Sequence, residues 1–417
     1  MMCTDTKMKQ KRLLIMPAGL VHMHCIRQAV EMGYYVITCD NQPDNPGHAL
    51  AHEHYIVSTV DREGVLELAR KLNIDGVVNY GSDVSAPTAA YVCEQLGLPT
   101  SPLKSVEILT KKHLFRQFLR ENGFNCPVAQ VYDTAAEALA DKDRFRLPVM
   151  VKPIDSAGTK GVNKMTDWSQ LEGLVDDAMR FSIDKRFIIE EYIEKVGGQI
   201  SGDAFSIDGK LVFCSFGCEY YNDKAIKDFC PVGEFWPSTI EKKYTDALAA
   251  DLQRIFTLLN MGTTEYNVEA VVDKEGKVYI IECAARSGGS LIPQMIDYTT
   301  GINTVPWIIQ AAAGDPIDTS VLTKLDNPIN PTPKKCIVNW MMQSNATGKY
   351  VRTIFDPEFE KHHLLYWESS LKPGDHVHVF RDAGDGFGEL IAQFDNLDQL
   401  QEMLPHLNKY INVEVEH

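Results

Sequence analysis

From residue 12 onward, short apolar runs alternate with amphipathic ones, and this alternation constrains the fold more than any other feature of the chain. RLLIMP, YYVITCD and DGVVNYG have the texture of strands, while HCIRQAVEMG, EGVLELARKL and VSAPTAAYVCEQLG have that of helices, the first closed by Gly33. Strands joined through helices run parallel, and a parallel sheet needs cover on both faces. The pattern predicts an N-terminal domain over residues 1–100, ending at Pro99 to Pro102.

A different texture follows. Helices around SVEILT and KHLFRQFLREN lead to a short strand near PVAQVYD, and LPVMVKPIDSAGTKGVNKM then brings a strand, a small glycine-containing loop and another short strand. SGDAFSIDGKLVFCSFG alternates as an antiparallel pair turning at Asp208 and Gly209. Residues 218–240, rich in Tyr, Asp, Phe and Trp, fit neither period and are expected to form a long excursion. KYTDALAADLQRIFTLLN is helical, and EYNVEAVVDKEGKVYIIECAAR forms a second hairpin. A helical stretch to Gly314 and a linker with four prolines between Pro316 and Pro333 precede a final stretch of mixed strand and helix.

A chain of 417 residues exceeds what one hydrophobic core serves, so several domains are expected. Its formal charge of −16 surrounds it with a negative field that repels phosphate backbones and anionic lipid, which argues against nucleic acid and membrane as partners. The opening MMCTDTKMKQKR lacks the apolar core of a signal peptide, and no apolar run approaches the roughly 18 residues of a membrane span, so a cytoplasmic location is expected. Ten cysteines scattered singly, with no CxxC spacing, suit small buried hydrophobes.

The charged residues of the second hairpin carry the functional argument. If it turns about Lys274 and Glu275, Glu269 lies opposite Ile280, Asn267 lies opposite Glu282, and both glutamates face one side with Cβ atoms about 7 Å apart. Like charges so placed repel unless a cation lies between them, and magnesium takes one or two carboxylates together with substrate phosphates. The alternative is that both are solvated on an open face of the sheet. Just beyond them, Arg286 offers a planar fork of donors beside Ser287, Gly288 and Gly289, where glycines permit close backbone approach. Lys152 ends a β-rich run before SAGTKG, whose small residues let backbone amides reach phosphate oxygens although the lysine spacing is not that of a P-loop. Glu190 and Glu191 end another apolar strand.

Taken in this order, the motifs resemble the ATP-grasp superfamily, over nearly the whole chain up to residue 314. Within it the sequence is most similar to the amino-acid ligases and the carbamoyl-phosphate-synthase-like carboxylate–amine ligases, judged from EAVVDKEGKVYIIECAARSGG and GGQISGDAF. The resemblance implies a mixed α/β and α+β fold: a parallel-sheet pre-ATP-grasp domain (1–100), linker helices and the start of the ATP-grasp domain (101–146), a lid subdomain (147–215), a catalytic subdomain (216–330) and a small α+β C-terminal domain (331–417).

It also implies roles. Lys112 matches the lysine of a helical DKxxxRxxLxxxG element that contacts ATP phosphates, with Lys111 where an acid is usual. Lys152 matches the second phosphate lysine, with a catalytic role, and Ser156, Gly158, Thr159 and Gly161 lie in the lid loop. Glu190, Glu191, Tyr192 and Ile193 match the hinge whose backbone meets adenine, and Gln199 stands where many members have a ribose-binding glutamate. Glu269 and Glu282 match the magnesium-bridging pair, and Arg286 the arginine of an ExNxRxGG-like signature that faces the transferred phosphoryl group, with Ser287, Gly288 and Gly289 near the substrate. The signature's metal-binding asparagine is replaced by Ala284, and Asn267 is the candidate substitute or supporting partner.

The implied activity is a carbon–nitrogen ligase using ATP and one or two magnesium ions to join a small-molecule carboxylate to an amine through an acyl phosphate; a homodimer is compatible with it. Tyr220, Tyr221, Phe235 and Trp236 would line the second-substrate pocket or pack in the core. Other readings compete. An ATP-grasp carboxylase or synthetase would differ only in its nucleophile, and a non-catalytic ATP-binding protein would explain Ala284. Zinc on His22, His24, Cys25, His48, His52 and His54 has irregular ligand spacing, and a dinucleotide oxidoreductase lacks the glycines its fingerprint needs in PAGLVH.

Overall fold

The computed structural model describes residues 10–156, 158–221, 230–380 and 385–416. Strands β1 (Arg12–Met16), β2 (Tyr35–Asp40), β3 (Glu53–Ile56) and β4 (Gly76–Asn79) form a parallel sheet in the order β3-β2-β1-β4. The helices Met23–Glu31, Arg62–Leu72 and Ala86–Leu96 connect and cover it, as the alternation requires. The strand β3 overlaps the histidine-bearing stretch HALAHEHY. His48 holds Thr38 Oγ1 at 2.8 Å and His52 Nδ1 accepts from Val36 N at 3.1 Å, and among the described residues no three or more His, Cys, Asp or Glu side chains gather so as to hold a metal ion.

Strands β5 (Ala129–Tyr132), β6 (Val149–Pro153), β7 (Asn163–Met165) and β8 (Phe187–Glu191) make a small antiparallel sheet in the order β5-β8-β6-β7. Strand alternation divides its faces. Val149, Val151, Phe187 and Ile189 pack with Val175 and Ala178 of the helix Leu171–Phe181, leaving Met150, Lys152 and Glu190 to the other side.

The large sheet takes β9 (Ile200–Ile207), β10 (Lys210–Tyr221), β11 (Pro231–Trp236), β12 (Thr264–Val272), β13 (Val278–Ala284) and β14 (Cys336–Met342). After β15 (Gly348–Phe355) come β16 (Leu364–Ser369), β17 (His376–Val377), β18 (Gly388–Phe394) and β19 (Ile411–Glu416). The order is β13-β12-β9-β10-β11-β14-β18-β16, while β17-β15-β19 form a separate small sheet. By hydrogen bonding, therefore, the large sheet draws strands from both sides of the expected boundaries at 215 and 330. One face of it buries Tyr266, Val268, Ala270 and Ile280 against Leu248, Leu252, Ile255 and Phe256 of the helix Lys242–Leu258.

The turn between β9 and β10 falls at Asp208 and Gly209, both left-handed (φ 49° and 74°), which is the geometry that a two-residue hairpin of this twist requires. Residues 218–240 do not form the expected excursion. Cys218–Tyr221 continue β10 and Pro231–Trp236 form a central strand, while 222–229 lie outside the described residues. Alternation was present there: Cys218 and Phe235 point into a core while Glu219 and Glu234 point away, and those glutamates disguised a central strand as a loop.

Candidate active site

A cleft of about 650 Å³ runs between the small sheet and the polar face of the large one, with Gly81 and Asp83 of the N-terminal domain at one edge. Lys112, Lys152, Ser156, Gly158, Thr159, Glu190, Glu191, Tyr192, Ile193, Gln199, Glu269, Glu282, Arg286 and Gly289 all line it, so fourteen positions singled out in the sequence converge on one cavity. Gly161, Ser287 and Gly288 do not. Gly161 is left-handed (φ 70°) and packed so closely that a Cβ would sit 3.0 Å from Phe181 and 3.1 Å from Ala178. Ser287 is fully buried and accepts from Gly81 N at 3.0 Å, and Gly288 N donates to both oxygens of Asp203 at 2.9 Å. These last two hold the loop to the protein rather than offering groups to a ligand.

The register of the β12–β13 hairpin differs from the expected one. Its turn closes between Asp273 and Lys277 with Gly276 left-handed (φ 76°), and a shift between Glu269 and Ala270 leaves Ile281 as an extra residue. Glu269 therefore pairs directly with Glu282, not with Ile280, and Asn267 pairs with Ala284, not with Glu282. The bulge brings the two carboxylates closer than the diagonal arrangement would. Glu269 accepts from Gln199 Nε2 at 3.1 Å, so Gln199 reaches toward this pair. Burial, followed by the charges of Glu219, Glu282 and Glu234, pushes the Glu269 carboxyl well above the usual range. Asn267 donates through Nδ2 to Gly202 O at 3.3 Å and to Asp203 Oδ1 at 3.2 Å. Burial raises Asp203 to about 7 against the hydrogen bonds it receives from Gly288 and Asn267.

Arg286 is 8% exposed and its fork is already engaged. Nε and Nη2 grip Asp83 at 2.7 and 2.8 Å, Nη2 also reaches Glu282 Oε1 at 3.3 Å, and Nη1 donates to Ser287 O at 2.8 Å. Burial would raise Asp83, but Arg286 outweighs it and holds that carboxyl below its ordinary value. Asp83 carries no local motif, and nothing in the sequence marked it.

Glu190 lies within the expected hinge, but its side chain does structural work. It accepts from Arg116 Nε at 2.8 Å and Nη2 at 3.3 Å and from Lys152 Nζ at 2.9 Å, in a setting where Arg116 and Glu190 are each 2% exposed. Burial pushes this carboxyl up, yet the two cations bring it down to about 2. Arg116 was legible, since it is the arginine of the helical motif that contains Lys112. Lys112 Nζ donates to Ser156 O at 2.8 Å, tying the helix Lys112–Glu121 to the glycine loop, whose Gly158 and Thr159 are both left-handed (φ 67° and 56°). Ala157 lies outside the described residues.

Of the aromatic candidates, Tyr221 lines the cleft and donates its hydroxyl to Glu219. Tyr220 packs 5.8 Å from Trp340, and Phe235 and Trp236 are buried in hydrophobic clusters, so those three belong to the core. A side pocket of about 270 Å³ shares Asp83, Lys112, Ser156 and Glu282 with the cleft and extends past Val84, Pro87 and Ile183.

Comparison with known proteins agrees with this geometry. Residues 145–294 match the ATP-grasp domain model. The carbamoyl phosphate synthase large chain of Methanocorpusculum labreanum is 22% identical over 312 residues, covering 68% of this chain and 29% of that protein. The chain thus spans less than a third of the length of the curated relatives it matches. Among solved structures, an L-amino acid ligase from Bacillus licheniformis superposes with a TM-score of 0.81 at 20% identity, covering 99% of this chain and 100% of that one. The biotin carboxylase domain of the Hydrogenobacter thermophilus 2-oxoglutarate carboxylase, a complex with MgADP, ADP and bicarbonate, gives 0.73 at 16% identity, covering 97% and 91%. Residues 145–294 thus match an ATP-grasp domain, and the chain as a whole shares its fold with these solved structures.

Proposed function

We propose that the chain is an ATP-dependent ligase that joins a small carboxylate to an amine through an acyl phosphate. The observation that carries this reading is the direct pairing of Glu269 with Glu282 in a cleft that also receives Lys112, Lys152 and Arg286. Two facing carboxylates, one of them raised by its acidic neighbours, form a hard-oxygen donor set that fits magnesium. A magnesium ion held there would screen the charge of the nucleotide phosphates.

The chain's own residues account for the rest. Lys112 and Lys152 neutralise phosphate oxygens, and Glu190 fixes the direction of the Lys152 ammonium group. The backbone of Glu191, Tyr192 and Ile193 borders the cleft where adenine would lie. Asp83 and Glu282 hold the Arg286 fork beside the carboxylate pair, where charge develops as the γ-phosphoryl group leaves ADP for the carboxylate oxygen. The loop of Ser156–Gly161 closes over the phosphates and keeps water from the acyl phosphate. The neutral amine then bonds to the acyl carbon, the acyl C–O bond breaks so that phosphate departs with the former carboxylate oxygen, and the proton released from nitrogen is taken up by that phosphate.

The experiment is a screen of carboxylate and amine pools for ADP release, followed by mass analysis of the product. ATP binding with no turnover on any pair would favour a non-catalytic binding protein, the reading that Ala284 supports. Turnover that requires bicarbonate in place of the amine would favour a carboxylase.

A further inference from the structure

The side pocket of about 270 Å³ is continuous with the cleft, sharing Asp83, Lys112, Ser156 and Glu282 with it, and leads away past Val84 and Ile183, which the cleft does not touch. Three parts of the fold meet there. Val60 and Val84 come from the loops after β3 and β4, Lys111 joins the helices Leu103–Thr110 and Lys112–Glu121, and Ile183 follows the helix Leu171–Phe181.

Val60, Val84 and Ile183 are 49%, 39% and 64% exposed. An isolated exposed aliphatic side chain is ordinary, but three from separate elements lining one chamber form an apolar wall, the kind of surface that marks a ligand groove. Nor is Ile183 a loose surface residue. Asp155 Oδ1 accepts from Ser182 Oγ at 2.9 Å and from Ile183 N at 3.1 Å, and Oδ2 accepts from Asp184 N at 2.8 Å, so one carboxylate pins the loop that carries it.

The charges of the lining select an anion. Asp155 is engaged by those donors, and Arg286 holds Asp83 and Glu282. Arg62 is bound to Glu107 and Lys112 to Ser156 O, whereas Lys111 makes no ion pair among the described residues. Ala284 adds room: it lies two residues beyond Glu282 on the same face of β13 and lines the pocket where the signature has asparagine, so its short side chain leaves space directly beside Glu282.

We propose that this pocket receives the apolar side chain of the carboxylate substrate, which is therefore a hydrophobic acid. The inference rests on the ligase reading for the fate of that acid, while its binding is measurable without turnover. The carboxylate lies at the shared end by Lys112 and Glu282, Lys111 attracts its charge, and the side chain packs on Val60, Val84 and Ile183.

The test is calorimetric titration of the full chain, saturated with MgADP, with n-alkanoates from acetate to octanoate and with L-amino acids from alanine to norleucine. In at least one series affinity should rise about fourfold per methylene until the pocket is full, and valerate should bind more tightly than glutarate. Val60→Ser combined with Ile183→Ser should weaken the longest acid that binds about fivefold or more, while the shortest and MgADP stay within about twofold. No binding in either series, affinity independent of chain length, glutarate equal to valerate, or unchanged binding by the double variant would overturn the proposal. A double variant that loses MgADP affinity with acid selectivity unchanged would assign the apolar wall to closure of the lid, and would overturn it too. Length-dependent binding without ADP formation from any substrate pair would remove the ligase reading and leave the pocket standing; ADP formation from polar acids alone would do the reverse.

Discussion

Two hairpins of one sheet each set a pair of glutamates face to face, Glu269 with Glu282 and Glu219 with Glu234, and the cleft treats the pairs differently. The first has Arg286 against Glu282 and Gln199 against Glu269. The second has hydroxyls from Tyr221 and Ser201 and the partial charge relief of Lys195. Burial and mutual repulsion push Glu269 and Glu234 well above the carboxylate range and Glu219 to about 7. Glu190, on the small sheet across the cleft, is as deeply enclosed yet falls to about 2 because Arg116 and Lys152 surround it. The difference separates scaffold from site: an acid already matched by cations holds the protein together, and an unmatched one waits for charge from outside.

The comparison can be broken most severely at the matched acid. Glu190→Gln leaves Arg116 and Lys152 buried without their countercharge, and removing one partner of such a group costs about 3–5 kcal/mol, readable as a fall in urea midpoint. A midpoint close to wild type would mean that the cluster is not structural. Because the Glu190 carboxyl lies at about 2 rather than its ordinary 4.5, its stabilisation is complete above pH 4.5 and disappears as pH falls through 2. The difference between wild type and Glu190→Gln should shrink over that window.

The pair proposed to hold magnesium, Glu269 and Glu282, comes next. Glu282→Gln should lower the rate of ADP formation by about 10²–10³-fold, the loss typical of one electrostatic contact to a transferring group, and should raise the magnesium requirement. An unaltered rate would detach the pair from the chemistry. Asn267→Ala should weaken apparent magnesium affinity by about tenfold, as loss of a supporting contact does; normal activity and metal dependence would remove Asn267 from consideration.

The smallest expected effect distinguishes the second pair by the sign of its pH dependence. Glu219 is raised from 4.5 to about 7, so its unfolded form ionises first and the ligand-free protein loses stability as pH rises from 4.5 to 7, the reverse of Glu190. Melting temperature across that range should fall less for Glu219→Gln than for wild type. Parallel curves would show that Lys195 and Tyr221 already compensate the charge.

The sequence by itself determined the local elements and the order of the chemical groups. Strand and helix periods fixed the parallel N-terminal sheet, Asp208–Gly209 fixed a hairpin because both residues tolerate left-handed backbone, and the succession Lys112, Lys152, Glu269, Glu282, Arg286 marked the cleft. Tertiary structure alone decided which groups meet. Asp83 reaches Arg286 across 203 positions, Glu190 turns inward to clamp Lys152, one extra residue at Ile281 sets Glu269 opposite Glu282, and β11 lies at the centre of the large sheet. The physical reason is that periodicity records only which face of a segment is buried. Salt-bridge partners, bulges and strand neighbours depend on how separate segments pack, where a shift of one residue exchanges every facing pair.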